Sequence, residues 1–205
     1  LAALVATDRD ESRFRTRGIG QPGDLELAPF HALYDRRTAV YFKRYSPSEW
    51  RAALAERAAE RARAAALDAR SIDIIRLGVD ADEQRHGLRS EISYAVSYRF
   101  RPGRDARTGG FLEFDAAVRD APLLLRATYW GGERDRLFHV EVDGRRIATQ
   151  RLHGEHPGEF VERDYVLPPE LLRGKDRVRI RFQPESGHTA GPVFGCRILV
   201  AQSEE

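Results

Sequence analysis

The chain has 205 residues, 41% of them apolar and 32% charged, with 17 glycines and 10 prolines. This composition excludes the disordered, collagen-like and membrane-spanning classes and is long enough to bury a sizeable core. Thirty-four basic against 32 acidic residues leave a formal charge of +2, so counting gives no basic face for nucleic acid or an anionic membrane. One cysteine, Cys196, excludes an internal disulfide and any paired-cysteine metal or redox motif.

Residues 1–24 mix charge with Gly18, Gly20, Pro22 and Gly23 and show no sustained period, which reads as a linker or the end of a preceding module. The opening apolar run, Leu1 to Ala6, is too short for a signal-peptide core or a membrane span. The absence of methionine, even at position 1, reads as excision from a longer polypeptide. From about residue 25 to 70 the chain predicts a strand followed by a helix that packs on the domain behind it. Thr38–Tyr45 (TAVYFKRY) is β-branched and aromatic, hence the strand. Ser46-Pro47-Ser48-Glu49 then sets an N-cap serine, a proline at the first helical position and a glutamate three residues after the cap. A helix is predicted from Pro47 to about Arg70, with Trp50, Leu54, Ala58, Ala62 and Ala65 along one stripe.

After Ser71 the pattern is that of strands. Val178, Ile180 and Phe182 alternate with Arg177, Arg179 and Arg181, as in an antiparallel strand with one wet face. Phe138, Val140 and Val142 repeat the alternation and run into Asp143-Gly144, a two-residue hairpin signal. Further strands are read at Ile72–Leu77, Phe111–Val118, Leu123–Trp130, Arg145–Gln150, Phe160–Val166 and Val193–Val200. Eight or nine strands and one helix predict a mainly β protein, an antiparallel β-sandwich of jelly-roll type over residues 71–200, with 201–205 as a tail. Its core is expected at Phe114, Leu125, Phe138, Val140, Val178, Ile180, Phe182 and Ile198. Asp80–Gly110 shows neither pattern and reads as one long ordered loop lying near Trp130.

That loop supplies Glu83, His86 and Tyr98 as candidate ligand-binding residues, together with Trp130, which alternation turns outward from the strand ending Tyr129-Trp130-Gly131-Gly132. Asp80, Asp82 and Glu83 offer oxygen donors for a structural calcium, but no ordered ligand series accompanies them, so no cofactor is expected. His153-Gly-Glu-His156 puts two imidazoles three apart beside a glycine and Pro157, a turn rather than a metal motif. Cys196 sits among apolar strand residues and reads as a buried, inert thiol.

Five strings carry a family resemblance: LELAPFHALYDRRTAVYFKRYSPSEW (25–50), RDARTGGFLEFD (104–115), LRATYWGGERDRLFHVEVDGRRIA (125–148), PPELLRGKDRVRIRF (168–182) and HTAGPVFGCRIL (188–199). Together they resemble the C-terminal accessory β-sandwich of β-L-arabinofuranosidase-like proteins, glycoside hydrolase family 127 and its relatives. In that family catalysis belongs to a separate barrel with a cysteine nucleophile and a zinc held by cysteines and a glutamate, and a single cysteine cannot supply both nucleophile and ligands. The resemblance therefore implies a noncatalytic, bacterial accessory domain, secreted or periplasmic. Its implied partners are the catalytic barrel of the same polypeptide and an arabinose-containing glycan, with no nucleic acid and no membrane. The competing reading is a small stand-alone hydrolase using Glu83 and His86, or His153.

Overall fold

The computed structural model describes residues 4–6, 13–17, 23–27 and 45–201. The chain divides into two compact units, Leu1–Glu56 and Arg57–Glu205. In the first, β1 (Leu4–Ala6), β2 (Phe14–Thr16) and β3 (Glu26–Leu27) form a small antiparallel sheet, so the stretch read as a linker contributes two short strands. Thr16 ties β2 to the approach of β3: its N–H donates to the Leu25 carbonyl (2.9 Å) and its hydroxyl accepts from the Leu25 N–H (2.7 Å). The strand expected over Thr38–Tyr45 lies, but for Tyr45, outside the described residues.

Helix α1 spans Pro47–Arg70. Its start is the reciprocal cap that the sequence spells: the Ser46 N–H donates to the Glu49 carboxylate (2.7 Å) and the Glu49 N–H to the Ser46 hydroxyl (3.3 Å). No α1 residue is buried, because a stripe made mostly of alanine offers little apolar area; alanine propensity and the cap sustain the helix instead. Its last turn is tied down by Arg70, which donates to the Val200 carbonyl (2.9 Å), and by Asp68, which accepts from Arg197 (2.6 Å).

The remaining strands are β4 (Ser71–Ile75), β5 (Arg89–Tyr98), β6 (Arg101–Ala117), β7 (Leu123–Trp130), β8 (Arg136–Val142), β9 (Arg145–Leu152), β10 (Phe160–Leu167), β11 (Arg177–Pro184) and β12 (Ala190–Val200). Two short helices join them, α2 (Asp80–Arg85) and α3 (Pro169–Leu172). All pairings are antiparallel in the order β10-β7-β12-β6-β11-β8-β9, with β4 added on β12 and β5 on β6. The path folds over on itself. Tyr129 of β7 meets Phe138 of β8 with ring centroids 5.6 Å apart, although three strands separate them in the order. At its two ends the Tyr165 hydroxyl of β10 donates to the Gln150 side chain of β9 (2.7 Å) and lies 3.0 Å from the Tyr129 hydroxyl. The result is a sandwich whose interior holds all eight expected core residues at 2% exposure or less, and Cys196 is buried beside them.

The stretch Asp80–Gly110 corrects the sequence reading: it is α2, the whole of β5 and the first half of β6. Among the described residues β5 pairs with β6 alone, and both its faces are largely exposed, so no apolar alternation marks it. The hairpin turn is Arg99-Phe100, both left-handed (φ 48° and 63°), with neither glycine nor asparagine to announce it. Farther along, the register jumps from Glu91↔Phe111 to Ser93↔Ala106, so Arg107–Gly110 bulge out of the ladder.

Candidate functional site

The two hairpin ends, the end of β7 and the start of β10 converge on a group of aromatic rings. Tyr98 closes β5 and Trp130 closes β7; Phe160 opens β10 directly opposite Trp130, and Phe194 lies on β12. The rings form a closed circuit: Tyr98–Trp130 5.6 Å, Trp130–Phe160 5.1 Å, Phe160–Phe194 4.9 Å and Phe194–Tyr98 5.4 Å between centroids. Three of the four contacts are edge-to-face or close to it in centroid spacing and tilt, the favoured arrangement for aromatic quadrupoles. Phe194 is the buried floor, while Tyr98, Trp130 and Phe160 are half-buried.

Two guanidinium groups lie over this circuit, Arg99 at 5.5 Å from the Trp130 ring and Arg101 at 5.0 Å from the Phe160 ring. Between them in sequence, Phe100 stands wholly in solvent at the hairpin tip. The Tyr98 hydroxyl donates to Glu133 (2.8 Å), which Arg136 holds from its other side (2.8 Å). Burial, and then this carboxylate acceptor, push the Tyr98 phenol above its ordinary range, so it remains a donor at neutral pH. A Cβ at Gly132 would stand 2.9 Å from the Trp130 indole nitrogen, so a larger residue there would displace the ring.

The sequence candidates separate into two places. Tyr98 and Trp130 meet in the ring circuit; Glu83 and His86 do not join them. Glu83 is 6% exposed and accepts from the Gly78 N–H (2.6 Å) and from both arms of Arg104 (2.8 and 2.7 Å). His86 is 3% exposed, with one ring nitrogen 2.7 Å from the Asp82 carbonyl oxygen and the other 3.0 Å from the Asp73 carboxylate. Asp73 in turn accepts from the Ala117 N–H (2.7 Å). These groups rivet α2 to β4 and β6 through hydrogen bonds within the protein.

Elsewhere, His153 is exposed in the β9–β10 turn and pairs with Glu155 (3.0 Å), without a nucleophile beside it among the groups it bonds. Arg179 and Arg181 pair with Asp115 (3.0 Å) and Glu113 (3.1 Å) across the outer face of β6 and β11, a solvated sheet face. Among the described residues no three His, Cys, Asp or Glu side chains converge as metal ligands. The residues of this corner that sequence reasoning missed are Arg99, Arg101, Phe160 and Phe194. The alternation of aromatic and arginine in YRFR (98–101) was the available signal for the first two; Phe160 and Phe194 join only through tertiary pairing.

A family described as a family of unknown function (DUF6805) matches residues 66–199. Among solved structures the chain is similar to a family 35 carbohydrate binding module from Clostridium thermocellum, at 12% identity over 63% of this chain and 99% of that one, TM-score 0.48. It is similar to a carbohydrate binding module from the Cellvibrio mixtus lichenase 5A, in complex with cellotriose, at 10% identity over 64% and 99%, TM-score 0.45. It is also similar to an exo-β-1,3-galactanase from Phanerochaete chrysosporium, at 11% identity over 62% of this chain and 29% of that one, TM-score 0.45. No curated protein matches it in sequence.

Proposed function

The chain belongs to DUF6805, a family of unknown function, and we propose from its own residues that it is a noncatalytic accessory domain that holds glycan at the Tyr98–Trp130 corner. The observation that carries this reading is the ring circuit, open to solvent at Tyr98, Trp130 and Phe160 and extended by the exposed Phe100. A sugar ring presents apolar C–H faces and a rim of hydroxyls. Half-buried aromatics bordered by arginine donors match both features. The hydrolase alternative is disfavoured by its own residues: the Glu83 carboxylate is held by Arg104 and the Gly78 N–H, and His86 faces Asp73 and Asp82 rather than a cleft.

Within this proposal the five resembling strings support a parent protein of the β-L-arabinofuranosidase type, with a catalytic barrel in the same polypeptide and an arabinose-containing polymer as ligand. The test is affinity electrophoresis in arabinan with Trp130→Ala and Phe100→Ala. Trp130→Ala is expected to lower retention about tenfold, a loss near 1.4 kcal/mol. Phe100→Ala is expected to lower it less while leaving the melting temperature unchanged, since the ring touches only solvent. Wild-type retention by both variants refutes the proposal.

A further inference from the structure

Beside the ring circuit, the outer face of the β10-β7-β12-β4 sheet carries a cleft of about 360 Å³. Phe194, the floor of the circuit, also lines this cleft, and four of its other lining residues are arginines: Arg76, Arg101, Arg126 and Arg197. Arg197 and Arg126 are direct cross-strand partners on the face pointing away from the core, an arrangement of like charges that is unfavourable unless something neutralises it. Within the protein it is neutralised in part. Arg126 pairs with Asp164 (2.7 Å) and Glu162 (3.1 Å), Arg197 with Asp68 (2.6 Å), and Arg76 with Asp82.

Arg101 is the exception. Among the described residues no carboxylate lies within ion-pair distance of it; its contacts are the Thr128 hydroxyl at 3.3 Å and the Phe160 ring. The protein around its guanidinium strips water from it and, with the charge of Arg197 adding to the effect against the opposing pull of Glu162, lowers its pKa. A guanidinium is a planar fork of donors whose geometry fits a carboxylate in two parallel hydrogen bonds. A cation already partly dehydrated by folding, unpaired and still accessible leaves less water for a ligand to displace.

We propose that Arg101 is the anchor of a subsite for the carboxylate of a uronic acid residue, so that the domain reads acidic glycan, with a sugar ring on the aromatic circuit and its carboxylate in the arginine cleft. This rests on the glycan-binding reading above and narrows it to a ligand class. Neutral arabinan offers the fork only single hydroxyl acceptors; a uronate-bearing chain offers a carboxylate that accepts from both arms.

The test is isothermal titration of the wild-type chain and of Arg101→Gln with a short oligogalacturonate, with its methyl ester, with a sulfated galactan oligomer and with neutral arabinan. The acid is expected to bind most tightly and to weaken as salt is raised. Arg101→Gln, or esterification of the ligand, is expected to cost roughly tenfold to hundredfold, the range of a charge-assisted hydrogen bond. Neutral arabinan is expected to lose much less affinity in Arg101→Gln than the acid does, and to lose most of its affinity in Trp130→Ala. Wild type that binds the acid no better than its ester, or the sulfated oligomer as well as the acid, overturns the uronate subsite without touching the general glycan reading. Arg101-dependent binding of the acid with no binding of arabinan upholds the subsite and refutes the arabinose ligand. Should Arg101→Gln fail to fold, the ester and sulfate arms on the wild-type chain still decide.

Discussion

Replacing Glu83 by alanine tests whether the α2 region is held by a buried ion pair rather than reserved for a ligand. The side chains of Glu83 and Arg104 are 8% and 16% exposed, and the carboxylate takes three donors, two from Arg104 and one from the Gly78 N–H. Removing it strands a nearly buried guanidinium and a backbone N–H, a loss of about 3–5 kcal/mol for breaking one side of a buried pair. For a chain of this size each kcal/mol shifts the melting temperature by about 2–4 °C, so thermal circular dichroism should show a fall of about 6–20 °C. The double variant Glu83→Ala/Arg104→Ala should be less destabilised than the two single losses summed, because the second deletion removes the stranded charge. Acid titration gives a second readout. Burial alone would raise the Glu83 pKa, but the hydrogen bonds from Arg104 and Gly78 and the charge of Arg104 outweigh it and hold the carboxyl below its ordinary range. The unfolded chain therefore binds this proton more readily than the folded one. The stabilisation is present above the ordinary glutamate pKa of about 4.3 and is lost as pH falls through the lower folded value. Glu83→Gln should flatten that part of the acid limb. A Glu83→Ala protein melting within about 2 °C of wild type would refute the account of the pair.

Two further perturbations have definite signs. Asp105 is 1% exposed with one carboxylate oxygen unpartnered, and burial, against the attraction of Arg107, raises its pKa. Its charge therefore costs stability at neutral pH, and the cost is relieved as pH falls through the raised folded value; Asp105→Asn should equal or exceed wild type at pH 7 in urea unfolding, and a loss above about 1 kcal/mol would contradict this. Phe100 is non-glycine at φ 63° with its ring wholly in solvent, so Phe100→Gly should leave the melting temperature equal or higher while still weakening glycan retention.

How much of this was legible depends on where the information lies. The helix start was written locally, in a serine and a glutamate three residues apart that now exchange hydrogen bonds. The hairpin at Asp143-Gly144 was equally local, and its strands pair from Val142↔Arg145 outward. Strand β11 was legible because one face is core and the other water, which forces the alternation of Val178, Ile180 and Phe182 with arginine. The β5–β6 hairpin was not, because an edge strand wet on both faces has no such alternation and its turn uses Arg99-Phe100. At the candidate site Tyr98 and Trp130 could be named from the sequence, but the circuit they join needs residues from β10 and β12, more than 25 positions away. Glu83 and His86 could be named from the sequence too, but that they bond to Arg104, Asp73 and Asp82 and lie apart from Tyr98 and Trp130 is set by tertiary pairing.

The bulge in the β5–β6 ladder bears on how the molecule avoids its own copies. Among the described residues β5 has one strand neighbour, so its outer side offers unpaired amide and carbonyl groups, the surface on which like chains stack edge to edge. The left-handed Ile92 breaks that row in the middle of β5, where the register slips and Arg107–Gly110 swell outward. A straight template several residues long is thereby cut into two short ones. Gly110 preserves the break: a Cβ there would collide with the Glu91 carbonyl, so even alanine would force the two strands to re-pair. A broken edge of this kind is a poor template for a second copy to pair with.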